Sequence, residues 1–362
     1  MIAACLQRKV SIPWGMFNIY PNLYIVLVGP SGCRKGTAMG PGLKMLNDLG
    51  IKMAAEATTR ESLIRELRKT SNTSILADGT TVFLHSSLTI FSQELTVFLG
   101  YNNMQLMADL CDWFDCRERW TYRTKTMGED DIVGVWVNLI GATTPDLLQS
   151  TLPRDAIGGG LTARMIMVFA SGKGKTVVCP FETSMERKLR ANLIADLEQI
   201  SMISGEYKVT DQFMEDWAIW YTAQDANPPF TDSRLAGYME RRPLHILKLS
   251  MVMAASESNN LIITERHLAR AVHILTSIEA GMGRTFSGIG KSKTSDVLTR
   301  VLGYIATMQT VTMSDIMNQF YFDADLRDMN SVIETLRSMG AISIGTVGTK
   351  QIIKYTGKEI QT

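Results

Sequence analysis

The sequence predicts an α/β core, followed by a helical region and then by a small domain of three helices and a hairpin. Three observations lead to this fold class: an apolar run at 23–28 that enters a glycine-rich loop, a mostly helical pattern over 184–280, and a glycine- and serine-rich linker at 281–293. The expected boundaries are an α/β core at 1–180, a helical lid at 181–283, a linker at 284–293 and a terminal domain at 294–362.

The composition is that of a folded globular chain. Of its 362 residues, 45% are hydrophobic and 20% are charged, which excludes an intrinsically disordered protein. The formal net charge is +1, so contacts with nucleic acid have to come from local patches. The five cysteines form no C-x-x-C pair, which predicts a reducing compartment and no structural zinc. No apolar run is long enough to span a membrane, and we expect a cytoplasmic protein.

The first strand leads into a candidate phosphate-binding loop. Residues 23–28 are apolar throughout, as in a strand buried on both faces, and Gly29, Gly32 and Lys35 follow directly. Glycines let successive backbone N–H groups point at phosphate oxygens, a helix amino terminus favours negative charge, and a lysine adds a point charge. The residues predicted to bind the nucleotide are Gly29, Pro30, Ser31, Gly32, Cys33, Arg34, Lys35, Gly36 and Thr37.

This loop departs from the motif G-x-x-x-x-G-K-[ST] on both sides of its lysine. Arg34 replaces the glycine before Lys35, and Gly36 replaces the hydroxyl residue after it, so that Thr37 comes one place late. Either Thr37 takes over a magnesium contact, or acidic residues elsewhere hold the metal. The alternative is an ordinary glycine-rich turn with a surface lysine, but the buried strand and the register of Lys35 favour a nucleotide site.

A second candidate motif is an apolar strand at 88–94 that ends in an acid. At the carboxyl end of a strand beside a phosphate loop, Glu94 can orient a water molecule for attack on the γ-phosphate and contact the metal. An aspartate usually precedes this glutamate, whereas here the position holds Gln93. The alternative is a surface glutamate at the end of a strand.

Two further segments place polar residues near strand ends. The strand at 135–141 is followed by Thr143 and Thr144, which we expect beside the γ-phosphate. Arg164 follows a glycine-rich segment and precedes another strand, a position from which it can reach the nucleotide of a neighbouring subunit. The alternative for Arg164 is a structural surface arginine.

A predicted hairpin at 117–137 carries basic and aromatic residues near its tip. Such a ribbon can follow a nucleic-acid backbone, and an aromatic ring can stack on a base. A solvated hairpin without a ligand is the alternative. The residues predicted to contact DNA are Arg119, Tyr122, Arg123 and Lys125.

The terminal domain is predicted to be a winged helix, because three helices precede a hairpin. Around its third helix, Asp323, Asp325, Asp328 and Glu334 offset Arg327 and Arg337. These carboxylates disfavour the reading of DNA by that helix, and we expect a contact with another protein at least as much as a contact with DNA.

Four segments of the chain, at 22–37, 92–95, 141–145 and 159–164, resemble the phage and prophage P-loop ATPases that are often encoded beside primase–polymerases or fused to them. The resemblance covers about residues 1–280 and is most specific at the phosphate loop. More distantly, the order of the parts is similar to that of MCM-type AAA+ helicases. This resemblance implies a P-loop NTPase core of the AAA+ kind, a helical lid and a winged-helix domain.

The resemblance also implies a role for each candidate residue. It makes Lys35 the Walker A lysine, Glu94 the Walker B glutamate, Thr143 or Thr144 sensor 1, Arg164 an arginine finger, Arg241 sensor 2, and Arg123 with Lys125 a pore hairpin. The implied cofactors are ATP and Mg²⁺, with Thr37 and Glu94 as candidate metal contacts.

The function expected from these parts is an ATP-dependent DNA helicase or translocase that acts in the replication of a phage or mobile element, in the host cytoplasm if phage-encoded. The expected partners are single-stranded or forked DNA, copies of the same chain in a ring with a hexamer as the expected number, and a primase–polymerase. The first alternative is an ATP-switched helicase loader or initiator that binds DNA without unwinding it. The second is a structural nucleotide binder that does not turn over.

Overall fold

The computed structural model describes the chain except for residue 57 and residues 76–80, 125–127, 153–159, 179–180, 227, 231, 286–292, 322, 348–349 and 358–362. The chain divides into two compact units, Met1–Phe286 and Ser287–Thr362. The first unit has a mainly parallel sheet with helices around it, which confirms the predicted α/β class.

The first unit contains twelve of the strands and eleven of the α-helices that the structure describes. The strands are β1 (Val10–Trp14), β2 (Phe17–Ile19), β3 (Tyr24–Val28), β4 (Ser71–Ile75), β5 (Thr81–Ser92), β6 (Arg119–Thr124), β7 (Gly128–Val133), β8 (Val135–Thr143), β9 (Met165–Phe169), β10 (Gly205–Glu206), β11 (Lys208–Val209) and β12 (Ile262–Ile263). The helices are α1 (Ile2–Leu6), α2 (Lys35–Asp48), α3 (Arg60–Lys69), α4 (Leu95–Leu99), α5 (Met104–Phe114), α6 (Pro145–Thr151), α7 (Gly160–Ala163), α8 (Ser184–Ser201), α9 (Asp211–Ala226), α10 (Ala236–Ala255) and α11 (Glu265–Thr285). Among the described residues, no helix combines the length and the apolar character needed to cross a membrane.

The central sheet has five strands in the order β4-β5-β8-β3-β9. Strand β3 pairs in parallel with β8 and β9, β8 pairs in parallel with β5, and β4 runs antiparallel to β5 at the edge. The carboxyl ends of the four parallel strands therefore meet at one edge of the sheet. Open α/β sheets bind their ligands outside this edge.

The strands at the centre of this sheet are covered on both faces: β8 is buried at every position except Ile140, and β3 is buried on one face and partly buried at Ile25 and Leu27 on the other. Tyr24, Val26 and Val28 of β3 are almost fully buried, and Trp136 of β8 has no exposed surface. Strands covered on both faces are apolar without alternation, which explains the continuous apolar run at 23–28.

Helices α8–α11 pack with the amino-terminal segment around one hydrophobic core. This core joins Leu6 and Ile12 to Trp217 of α9 and Leu275 of α11, and it reaches Ile166 of β9. The segment predicted as a lid therefore shares its core with the first residues of the chain and belongs to the same compact unit.

The second unit is an α+β domain. It contains α12 (Lys293–Met308), β13 (Thr310–Thr312), α13 (Met313–Phe320), α14 (Leu326–Ser338), β14 (Ile342–Val347) and β15 (Lys350–Tyr355). Its antiparallel sheet has the order β13-β15-β14, and Val301, Ile316 and Leu336 belong to its core. The short strand β13 was not expected, because three residues are too few to show an alternating pattern.

Candidate nucleotide site

The candidate phosphate loop lies at the carboxyl edge of the sheet, between the ends of β8 and β9. The backbone N–H of Gly29 donates to the carbonyl oxygen of Thr143 (3.2 Å), and the N–H of Ala170 donates to that of Val28 (2.9 Å). A Cβ atom on Gly29 would lie 2.6 Å from the carbonyl oxygen of Ala170. The close approach of this backbone therefore requires glycine at position 29.

The loop turns through two residues with left-handed backbone conformations before α2 begins at Lys35. Gly32 has φ +81° and Arg34 has φ 64°. Arg34 stands where the usual motif has glycine, and it adopts a conformation that glycine takes at no cost. The first departure from the motif is therefore compatible with a tightly turned loop, at a cost on the order of 1–2 kcal/mol.

Lys35 folds back over the loop. Its ammonium donates to the carbonyl oxygens of Gly29 (2.6 Å) and Pro30 (3.1 Å). The positive charge is thereby held above the loop whose backbone N–H groups would receive phosphate oxygens. Because the lysine's present partners are neutral carbonyls, a phosphate is a stronger acceptor for the same ammonium.

The acid-tipped strand ends beside the same loop. Strand β5 stops at Ser92, and Gln93 and Glu94 follow on the exposed surface. The side-chain oxygen of Gln93 lies 2.9 Å from the point that a Cβ atom on Gly36 would occupy. The structure thus brings together the first turn of α2 and the end of β5, although they are more than fifty residues apart in the sequence.

The two threonines predicted as sensors have different surroundings. Thr143 is the last residue of β8, pairs in register with Val28 and is 1% exposed, so it stands directly beside the start of the loop. Thr144 is the N-cap of α6, and its hydroxyl accepts a hydrogen bond from the backbone N–H of Leu147 (3.3 Å). Thr143 is the nearer of the two to the loop, and its hydroxyl donates to the carbonyl oxygen of Thr144 (3.3 Å), a contact that it would have to exchange for a bound phosphate.

The predicted finger and the predicted second sensor lie at the opposite edge of the sheet. Arg164 precedes β9, whose first residue pairs with Tyr24 at the start of β3. The five residues of β3 place roughly 16 Å between this edge and the loop. Neither Arg164 nor Arg241 therefore reaches the phosphate loop of its own chain, and their predicted roles require the site of a neighbouring chain.

These two arginines share one carboxylate. The guanidinium of Arg164 donates to Asp115 (2.6 Å) and to the carbonyl oxygen of Gly160 (2.8 Å), and that of Arg241 donates to Asp115 (3.2 Å). Arg164 is 7% exposed, whereas the side chain of Arg241 is 30% exposed. Burial, together with the neighbouring Arg164, lowers the pKa of Arg241. An arginine finger at position 164 would have to leave Asp115 before it could contact a ligand.

The ribbon formed by β6 and β7 pairs its cations internally. Arg119 forms an ion pair with Asp131 (3.3 Å), and Arg123 forms one with Glu129 (2.5 Å). The ring of Tyr122 lies under the guanidinium of Arg60, 4.7 Å from its centroid. Lys125 lies outside the described residues.

The described part of the ribbon therefore carries no excess of positive charge. Strand β6 has two arginines, and β7 has three carboxylates, of which Asp130 pairs with Arg68 of α3. Exposed ion pairs of this kind are weak, so a phosphate can compete for the arginines. The neighbouring carboxylates of β7 would, however, repel the phosphate.

A magnesium ion fits this site only together with a nucleotide. Among the described residues, no group of three or more His, Cys, Asp or Glu side chains could hold a metal ion. Oxygen donors in this region include the amide of Gln93 beside Gly36, the exposed Glu94 that follows it, and the exposed Thr37 in the first turn of α2. Magnesium is commonly held by one or two carboxylates plus substrate phosphates and water, and this donor set fits that pattern.

Sequence reasoning missed two residues of this region. The sequence shows only that Gln93 lacks a charge. In the structure its side chain lies beside Gly36 and so connects the incomplete phosphate loop with the incomplete acidic motif at the end of β5. Asp115 was not singled out, because its partners are 49 and 126 positions away along the chain. The ribbon's carboxylates, by contrast, could have been foreseen, since a hairpin places Glu129 opposite Arg123.

Comparisons with known proteins add no relative. A scan of protein-family models finds no match to this chain, and a search of curated proteins finds no match either.

Proposed function

We propose that the first unit binds ATP at the loop of residues 29–37 and hydrolyses it. The observation that carries this proposal is the meeting of three parts at one sheet edge: the turned loop after β3, the ammonium of Lys35 above it, and the end of β5 with Gln93 and Glu94 beside the first turn of α2. A buried strand, an anion-receptive helix start and an acid are the elements that phosphoryl transfer to water requires.

Each residue has a defined task in this proposal. Lys35 exchanges its contacts with Gly29 and Pro30 for phosphate oxygens, which are better acceptors because they are charged. Glu94, at the start of α4, accepts a proton from the attacking water and orients that water. Thr143 donates its hydroxyl to the γ-phosphate from the end of β8.

The amide oxygen of Gln93 takes the place of the missing hydroxyl in this proposal. The residue after the lysine normally carries the hydroxyl that contacts magnesium, and here Gly36 leaves that space to Gln93. Gln93, Thr37 and Glu94 are the residues that would hold the ion or its water. When bound, magnesium neutralises charge on the transferred phosphoryl group.

We further propose that ATP hydrolysis is coupled to movement on single-stranded or forked DNA by a ring of identical chains, with a hexamer as the expected number. Arg164 and Arg241 support a ring, because they lie at the edge opposite the phosphate loop and could serve only a neighbour's nucleotide. The second unit would be a winged helix that contacts DNA or a primase–polymerase.

A loader or initiator that binds DNA without unwinding it is the second candidate. The pairing of Arg119 and Arg123 with carboxylates of β7 favours it, because a pore hairpin needs cations that are free to contact phosphates.

The test is ATP turnover with and without single-stranded DNA, together with strand displacement on a forked duplex. A helicase shows DNA-stimulated turnover and displacement. A loader shows ATP-dependent DNA binding without displacement under conditions in which electron microscopy with an ATP analogue shows rings. If the protein binds a nucleotide but neither hydrolyses it nor responds to DNA, both the helicase and the loader are excluded, and the protein is a structural nucleotide binder.

A further inference from the structure

The first unit has an open cavity at the amino-terminal edge of the sheet, at the opposite end of β3 from the phosphate loop. Its volume is about 760 Å³, which is in the range of ligand sites. Aromatic side chains of Trp14, Phe17 and Tyr20 line one part of it, and Arg117, Arg241 and Lys248 line another. The hairpin of β1 and β2 forms one wall, and α10 forms another.

The carboxylates of this cavity are already paired with buried arginines. Asp115 binds Arg164 (2.6 Å), and Glu118 binds Arg8 (2.5 Å), and both arginine side chains are less than 10% exposed. Arg241 is the second cation on Asp115. The negative charge of the cavity is therefore more than balanced before Lys248 is counted.

Lys248 is a buried cation without a carboxylate partner among the described residues. It is 2% exposed, and its ammonium donates to the carbonyl oxygen of Tyr20 (2.9 Å) and to the side-chain oxygen of Asn22. The ring of Phe114 lies on another side of the ammonium, 4.5 Å from its centroid. An ammonium has three donors, and all of these partners are uncharged. Burial lowers the pKa of Lys248 to about 8, which is the expected response of a cation that lacks a counter-ion. An anionic group in the cavity would supply that counter-ion.

Phe17 presents an unoccupied aromatic face beside these cations. It lies opposite Trp14 on the edge strand β2 and is 74% exposed, and the neighbouring Met16 at the turn is 94% exposed. No ring of the described residues stacks on Phe17, whereas Trp14 packs against Trp217 and Tyr20 lies under Arg8. An exposed aromatic ring next to cations is the arrangement that binds single-stranded nucleic acid.

We propose that this cavity binds single-stranded nucleic acid, with a base stacked on Phe17 and phosphates contacting Lys248, Arg241 and Arg117. Stacking on an aromatic side chain tolerates any base, and the cations follow the backbone, so binding has little sequence preference. Arg117 lies two residues before β6, so a strand leaving the cavity would pass the base of the ribbon. Its guanidinium forms an exposed ion pair with Asp112 (2.9 Å), which is weak enough for a phosphate to compete with the carboxylate. The cavity would be a place where a protein with the proposed function contacts DNA, but this binding does not depend on the phosphate loop.

The experiment measures fluorescence anisotropy of a labelled oligothymidine of about 20 nucleotides, longer than the roughly 4–16 nucleotides that one OB fold covers. No nucleotide is added, so a failure of the ATP site leaves the outcome unaffected. Phe17→Ala should weaken binding about five-fold or more. Lys248→Met should weaken it and reduce the salt slope by about 0.7 for a lost single-strand phosphate contact.

Two controls keep this test decisive. Tyr101→Ala removes an aromatic side chain that is 75% exposed and precedes α5, whereas the other end of this helix, about 16 Å along its axis, reaches the cavity at Phe114. This variant should bind like the unmodified protein. Because Lys248 is buried, its substitution can disturb folding, and thermal unfolding must show that Lys248→Met is folded. Phe17 is exposed, so Phe17→Ala tests the same cavity with a substitution that should not disturb folding.

Three outcomes would overturn the proposal. The first is folded Phe17→Ala protein that binds the strand as tightly as the unmodified chain. The second is binding that Arg123→Ala weakens and Phe17→Ala does not, which would assign the strand to the ribbon. The third is displacement of the strand by thymidine monophosphate at an equal concentration of nucleotide units, which would identify a mononucleotide site.

Discussion

The side-chain oxygen of Gln93 lies 2.9 Å from the point at which a Cβ atom on Gly36 would stand. Each residue departs from a familiar nucleotide motif, Gly36 by lacking a hydroxyl and Gln93 by lacking a charge. Their contact shows that the two departures occupy one place in the molecule. The amide fills the space that a hydroxyl side chain at position 36 would otherwise need.

The first prediction concerns magnesium at this place. Gln93→Ala should reduce the gain in ATP affinity on adding Mg²⁺ about ten-fold, because a ligand for the ion or its water is lost, a change of about 1.4 kcal/mol. The measurement is titration with a fluorescent ATP analogue in Mg²⁺ and in EDTA.

The matched variant is the double substitution Gly36→Ser with Gln93→Asp, which restores the usual hydroxyl and carboxylate and should recover the dependence on Mg²⁺. If Gln93→Ala responds to Mg²⁺ as the unmodified protein does, Gln93 has no part in holding the ion.

The second prediction concerns pH. His245 has no exposed surface, its Nε2 bonds the carbonyl oxygen of Ala163 (3.2 Å), and burial lowers its pKa from 6.5 to about 3, with Lys248 adding to the effect. Between these values the unfolded chain binds a proton that the folded chain does not, so stability falls as the pH drops below 6.5. The loss between pH 7 and pH 5 should be about 2 kcal/mol.

Urea unfolding of His245→Gln at the two pH values tests this, because glutamine keeps a donor for Ala163 and does not titrate. The variant should lose about 2 kcal/mol less than the unmodified protein over this interval. His273→Gln, at an exposed position of α11, is the control, and its loss of free energy of unfolding over this interval should equal that of the unmodified protein. If His245→Gln and the unmodified protein lose the same free energy of unfolding between pH 7 and pH 5, His245 is not the source of the pH dependence.

The third prediction concerns the buried ion pair between α10 and α11. Arg242 donates to both oxygens of Glu279 (2.7 and 2.9 Å), and the hydroxyl of Tyr238 donates to the same carboxylate (3.0 Å). Glu279→Ala leaves a buried guanidinium without its counter-ion and should cost about 3–5 kcal/mol in the free energy of unfolding. Glu129→Ala, which removes the exposed partner of Arg123, should cost about 1 kcal/mol or less. If Glu279→Ala and Glu129→Ala lower the free energy of unfolding by similar amounts, the buried ion pair contributes no more to stability than the exposed one, and the prediction is wrong.

The fourth prediction concerns catalysis between neighbouring chains. Arg164→Ala and Lys35→Ala should each be inactive alone, yet a mixture should form some interfaces with an intact loop on one side and an intact arginine on the other. Phosphate release by the mixture should therefore exceed that of either variant. If both variants assemble and no mixture exceeds them, Arg164 is a structural residue held by Asp115.

Local patterns account for what could be predicted from the sequence. The apolar run at 23–28, the glycines after it and the register of Lys35 are adjacent in the chain, and the structure places them as a strand, a loop and a helix start. The α/β class follows from the same pattern, because strands buried on both faces need helices on either side.

Contacts between distant segments could not be predicted. Arg164 and Arg241 meet at Asp115 only because α5, α7 and α10 converge at the amino-terminal edge of the sheet, and no local pattern in the sequence indicates this meeting. Lys248 lies in an apolar helical stretch whose pattern does not show that its ammonium points at Tyr20 and Asn22. These positions depend on the packing of whole elements, which a single sequence does not encode in short-range patterns.

The most direct test of the nucleotide site compares ATP binding and turnover for the unmodified protein, Lys35→Ala and Glu94→Gln. Lys44→Ala, an exposed lysine on the same helix, is the matched control and should behave like the unmodified protein. Lys35→Ala should bind ATP about ten-fold more weakly or worse, because a charge-assisted contact is lost. Glu94→Gln should bind ATP normally, and its turnover should fall by about 100-fold or more, because the general base is lost. ATP binding and turnover that neither Lys35→Ala nor Glu94→Gln changes would contradict the account.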